Sequence, residues 1–124
     1  MDTPEKVFEK IQKLIEQNPS YKLEAYAFVL SALQYTMSQL TPPRHITGKE
    51  FCDGIRRYAI DQFGPMVRTV LNYWGIKETL DFGRIVFALV EVGLMRKTEE
   101  DTLDDFKNVY DFKEAFDTKQ VFDA

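Results

Sequence analysis

Residues 79–97, TLDFGRIVFALVEVGLMRK, are the most apolar run in this chain, and their reading decides the fold. Phe82, Ile85, Val86, Leu89 and Val90 recur at the three- and four-residue spacings of one helical face. Phe87, Val92 and Leu94 carry apolar character around the cylinder, which predicts a central helix with neighbours on most sides. Thr79 is placed to cap it, Asp81 suits the positive end of the helix dipole, and Gly93 marks its end. Gly83 stands in its early turns, where glycine costs about 1 kcal/mol relative to alanine. Its presence there points to close approach by another helix or a ligand.

Four helix starts precede this run. Thr3-Pro4 opens a helix with an apolar stripe of Val7, Phe8, Ile11, Leu14 and Ile15, closed by Asn18-Pro19. Ser20 can cap the second, whose inward face is Ala25, Phe28, Val29, Ala32, Leu33, Thr36, Met37 and Leu40, stopped by Pro42-Pro43. The short link between these two predicts an antiparallel helical hairpin over 1–43. The third start is the best specified: Thr47-Gly48-Lys49-Glu50 fits a reciprocal capping box, with Ile46 and Phe51 as a hydrophobic staple. Gly64-Pro65 breaks that helix, and a short fourth, with Met66, Val67, Val70, Leu71 and Trp74 inward, runs to Gly75.

Downstream the pattern changes. Residues 94–112 read as a β-hairpin: Leu94 to Thr98 in one strand, Glu99-Glu100-Asp101 in the turn, and Phe106, Tyr110 and Phe112 at even spacing in the other. Asn108 is out of pattern, and a short helix from Leu103 to Tyr110 competes with this reading. Residues 113–124 read as a C-terminal tail with a short helical turn and a fraying end. The expected fold is mainly α, five helices in a single domain. Its second half, 44–112, has the three-helices-then-hairpin order of a winged helix, an analogy that does not fix function.

At 124 residues the chain is near the commonest domain size, and 44% apolar with 29% charged content excludes a disordered chain. No apolar run reaches the roughly 18 residues of a membrane span, because Arg84 and Glu91 interrupt the best one. The opening MDTPEKVFEK lacks the basic start and apolar middle of a secretory leader, and a lone Cys52 gives no disulfide framework. The expected compartment is the cytoplasm. The net charge of −4 is uneven: 44–97 holds nine basic and six acidic residues, and 98–124 holds three and nine.

As a DNA-reading helix, 79–94 would present Asp81, Arg84, Ala88 and Glu91 outward, beside a wing bearing Glu99, Glu100, Asp101, Asp104 and Asp105. That is largely the wrong sign for phosphate. Arg44, Arg56, Arg57, Arg68 and Arg84 could form a modest basic patch, so a nucleic-acid-binding regulator working through Arg56, Arg57, Arg68 and Arg84 is the alternative reading. His45 is the only histidine, which excludes a His-rich metal site. With Cys52 it makes the one nucleophilic pairing on offer, a second alternative of a thiol-based or small-molecule site. A lone cysteine beside Phe51 is more ordinarily core. The acidic stretch 99–105 lacks the ligand alternation and central glycine of a calcium loop, and no phosphate-cradling glycine motif occurs. No catalytic, metal or cofactor residue is therefore assigned.

The leading expectation is a non-enzymatic protein-interaction module that binds a partner or itself. Aromatics at 14% supply anchors, and Arg44, His45 and the arginines, together with the carboxylates of 99–105, supply a charged surface. The segments RHITGKEFCDGIRRYAIDQFGPM, TVLNYWGIKETLDFGRIVFALVEVGLM and EEDTLDDFKNVYDFKEAF, with AYAFVLSALQYT upstream, resemble a family of small bacterial proteins. That family is seen mainly in planctomycete and verrucomicrobial lineages, and the resemblance runs from about Tyr21 to Phe116. It implies a bacterial, cytoplasmic, single-domain protein and brings no assigned activity, cofactor or catalytic residue to carry over.

Overall fold

The chain builds its helices where capping and breaking residues predict them. A computed structural model describes residues 3–117, so the end of the predicted tail, 118–124, lies outside the described residues. Five helices, α1 (Pro4–Gln17), α2 (Leu23–Ser38), α3 (Gly48–Phe63), α4 (Val67–Tyr73) and α5 (Thr79–Glu91), are followed by a single-turn α6 (Phe112–Ala115). Thr3 caps α1 by accepting from the Lys6 N–H at 3.2 Å. In α3 the reciprocal box is complete: Glu50 N–H donates to Thr47 Oγ1 at 3.1 Å, and Thr47 N–H donates to Glu50 Oε1 at 3.0 Å.

α5 lies at the centre, with Phe82, Ile85 and Leu89 fully buried. α2 packs against both α3 and α5, and its Ala25, Val29 and Ala32 are equally enclosed, so α2 belongs to the same core. α5 ends in a left-handed turn at Gly93 (φ 81°). Leu94 N–H donates to Leu89 O at 2.9 Å and Gly93 N–H to Val90 O at 3.0 Å, the paired bonds of a Schellman cap.

Two expected caps are replaced. Ser20 does not cap α2; its neighbour Tyr21 is buried instead and donates its hydroxyl to Asp81. Thr79 does not cap α5, because Glu78 occupies that position. The Thr79 hydroxyl points into the core, donating to Phe106 O at 2.6 Å and accepting from Val109 N–H at 3.1 Å. Asp81, read as outward on a recognition helix, is buried, and accepts from Lys77 N–H (2.8 Å), Glu78 N–H (3.2 Å) and Arg84 (2.8 Å) as well as Tyr21. It thereby ties the α1–α2 link to the start of α5.

The hairpin and wing expected over 94–112 are absent: no strand lies among the described residues, and 94–111 hold only turns, irregular segments and a 3-10 turn at Leu103–Phe106. The competing short helix survives as that one turn. Three local choices explain the difference. Asp101 and Asp105 accept the N–H groups of Thr98 (2.7 Å) and Thr102 (2.9 Å), using side chains for donors a ladder would need. Asn108 adopts φ 52°, which reverses the chain where a strand must stay extended. The even-spaced aromatics are also not one face of a pleat. Phe106 enters between α3 and α5, the Tyr110 hydroxyl donates to Cys52 O at 2.7 Å, and Phe112 packs on Phe82 and Phe116.

Phe106 explains Gly83. A Cβ on Gly83 would lie 2.7 Å from Phe106 Cγ, and one on Gly48 would lie 3.1 Å from Phe106 Cε2. Gly83→Ala should therefore destabilise the fold by about 1–3 kcal/mol, the range for overpacking a tight core. Helix propensity alone would make the same change stabilising by about 1 kcal/mol. Urea unfolding decides the sign, and a raised or unchanged midpoint would remove the close seating of Phe106.

Candidate functional site

The Phe106 turn closes one side of a half-open pocket of about 350 Å³. Its other walls are the C-terminal half of α2, the loop entering α3, and the end of α5 with the segment beyond it. Leu33, Met37, Phe51, Val86, Phe87 and Leu94 make it mostly apolar. Arg44, His45, Arg96, Lys97, Asp101 and Asp105 are the charged and imidazole groups around it. Its volume and its apolar lining with a few polar groups fall in the range that ligand pockets occupy.

Local folding sets the rim. Between Pro42-Pro43 and the Thr47 cap the chain has no helix or strand, and Arg44 and His45 sit in this short exposed loop. Arg44 clamps Glu50 with both terminal nitrogens, at 3.2 and 2.5 Å, and also donates to His45 O at 3.0 Å. The guanidinium, with help from the Thr47 N–H, holds the Glu50 carboxyl down at about 2. His45 Nε2 lies 3.1 Å from Asp101 Oδ2, joining this loop to the turn after α5. Partial burial pushes the Asp101 carboxyl up, but the Thr98 N–H and His45 outweigh it and hold the group below its ordinary value. Lys97 Nζ stands 5.7 Å from the centre of the Phe87 ring, over the pocket wall.

Of the residues singled out from sequence, Arg44, His45, Asp101 and Asp105 meet at this pocket. Glu99, Glu100 and Asp104 are exposed nearby without lining it. Arg56, Arg57, Arg68 and Arg84 also lie outside it. Arg56 Nε donates to Ala115 O at 3.1 Å, Arg57 pairs with Asp53 at 3.2 Å, Arg84 pairs with Asp81, and Arg68 is exposed on α4. Carboxylates of the helices themselves, rather than the acidic stretch 99–105, engage Arg44, Arg57 and Arg84.

Cys52 is fully buried, and burial pushes its thiol up to about 12, opposite to what a nucleophile requires. Among the described residues no group of three or more His, Cys, Asp or Glu is placed to hold a metal ion, and no helix is long and apolar enough to cross a membrane. Sequence reasoning missed the pocket's apolar wall, since its residues come from four separate segments. The signal was the surplus: Phe87 and Leu94 fall off the main α5 stripe, and their extra apolar surface partly lines the pocket.

Two outcomes follow for the charged and thiol groups. In the folded chain Cys52 should react with an aromatic disulfide reagent only at the rate of unfolding, and rapid native labelling would contradict its burial. The Glu50 carboxyl is depressed below its ordinary 4.5, so its stabilising charge acts fully above that pH and is lost as pH falls toward 2. The thermal midpoints of wild type and Glu50→Gln should accordingly differ at neutral pH and converge in acid. A gap that persists unchanged to pH 2 would show that the Arg44 pair is not its source.

Comparison with known protein families, curated proteins and solved structures gives no match for this chain.

Proposed function

We propose that the chain is a non-enzymatic protein-interaction module, bacterial and cytoplasmic, whose recognition site is the pocket beside Phe106. One observation carries the reading: a mostly apolar, half-open basin of about 350 Å³ is rimmed by charged side chains on exposed loops. Small-molecule sites usually enclose most of their ligand. A basin that leaves its occupant partly in water suits an anchor side chain still attached to a partner's backbone. Burying one large apolar side chain there supplies about 1.5–3 kcal/mol, the scale of an interface hot spot. The charged rim adds orientation and selectivity more than affinity.

The alternatives have less behind them. The buried thiol of Cys52 and the His45–Asp101 pairing leave a thiol-based site without an activated nucleophile. Three of the four arginines of the nucleic-acid reading are held by intramolecular partners, which reduces the charge they offer to phosphate.

Selection of a displayed peptide library on the folded chain tests the proposal. Enriched peptides should share a large apolar anchor, and Met37→Asp or Leu94→Asp should weaken them about tenfold or more by placing an unpaired charge in the basin. Both variants should keep wild-type circular dichroism. Enriched peptides without an apolar anchor, or with undiminished binding to both variants, would exclude the pocket as the site.

A further inference from the structure

The pocket rim is unevenly committed. Asp101 accepts from Thr98 N–H and faces His45, and Asp105 accepts from Thr102 N–H, so both carboxylates serve the loop that carries them. Arg44 is held by Glu50. Arg96 and Lys97 remain: both are exposed, both border the pocket, and among the described residues no carboxylate pairs with either. The contact of Lys97 with the Phe87 ring keeps an ammonium over the apolar wall, and its other hydrogen bond is a weak one to Thr98 O at 3.4 Å. Asp101 and Asp105 keep their charge but their oxygens are engaged within the loop, so the cationic donors left without a carboxylate partner at the mouth are those of Arg96 and Lys97, next to a basin that takes an apolar group.

We infer that the partner segment carries an acidic residue beside its apolar anchor, with the carboxylate docked against Arg96 and Lys97. The inference rests on the pocket being a protein-recognition site. An anchor seated on Phe87 places the neighbouring residue of its chain at the rim where these two cations stand. A carboxylate gains two charge-assisted partners there, whereas a basic neighbour meets like charge, and this discriminates between partners. Since the cations are exposed, the preference is electrostatic and weakens with salt.

Two parallel selections test this, one on the full-length wild-type chain and one on Arg96→Glu/Lys97→Glu, from a peptide library with a fixed Trp, Phe or Leu anchor and flanks restricted to Glu, Gln and Lys. Both substituted residues are exposed, so the variant should melt at the wild-type temperature. The wild type should enrich Glu flanks, and the variant should enrich Lys flanks around the same anchors. A synthetic wild-type-selected peptide should bind the variant about tenfold more weakly, as expected for two rim pairs, with the difference shrinking at about 0.5 M salt. Anchors enriched without any flank preference, or with the same preference on both proteins, would overturn the inference while leaving the pocket reading intact. No anchored peptide from either selection would take down both. Stoichiometric binding of octanoate with no peptide enriched would assign the site to small amphiphiles and overturn the proposal as well.

Discussion

The ring of Phe106 wedged between α3 and α5 is the contact on which the arrangement of the C-terminal third depends. It fits because neither Gly48 nor Gly83 carries a Cβ, and it is held because Thr79 bonds the backbone at Phe106 O and, three residues on, at Val109 N–H. A buried aromatic of this size contributes on the order of 3 kcal/mol by area alone. The side-chain bonds of Asp101 and Asp105 and the reversal at Asn108 interrupt the extended tendency of the segment, and the wedge fixes where it lies. With it, the segment becomes a strap across the end of α5, and the space left beside the strap is the pocket.

Most of the helical architecture was legible because its signals are local. Thr3-Pro4, the Thr47–Glu50 box, Gly64-Pro65 and Gly93 each act within a few residues, and each marks a boundary of the observed helices within a residue or two. The close approach expected at Gly83 is present, but the neighbour is the Phe106 ring of a 3-10 turn rather than another helix or a ligand. What stayed hidden was the identity of that neighbour, 23 positions further on.

The failed readings trace to partners the local pattern does not show, whether nearby side chains that take backbone hydrogen-bonding groups or residues far along the chain. Phe106, Tyr110 and Phe112 match a strand's period, yet Asp101 and Asp105 bind nearby N–H groups and Asn108 turns the backbone, so no ladder forms. Likewise Asp81 reads as a dipole-compensating surface residue until Tyr21, 60 positions earlier, reaches it and encloses it. The candidate site divides the same way. Of its rim, Arg44, His45, Asp101 and Asp105 stood out in the sequence but Arg96 and Lys97 did not, and its floor was hidden because Leu33, Met37, Val86 and Leu94 are ordinary apolar residues that only the fold brings together.

The most direct test of this account is a nuclear Overhauser spectrum of the full chain in solution. Seating of Phe106 between the two helices predicts strong cross-peaks from its ring protons to the α-protons of Gly83 and Gly48, whose resonances should be shifted upfield by the ring. Cross-strand α-proton contacts between residues 95–98 and 106–110, with no ring contact to Gly83, would instead establish the hairpin and remove both the wedge and the pocket built on it.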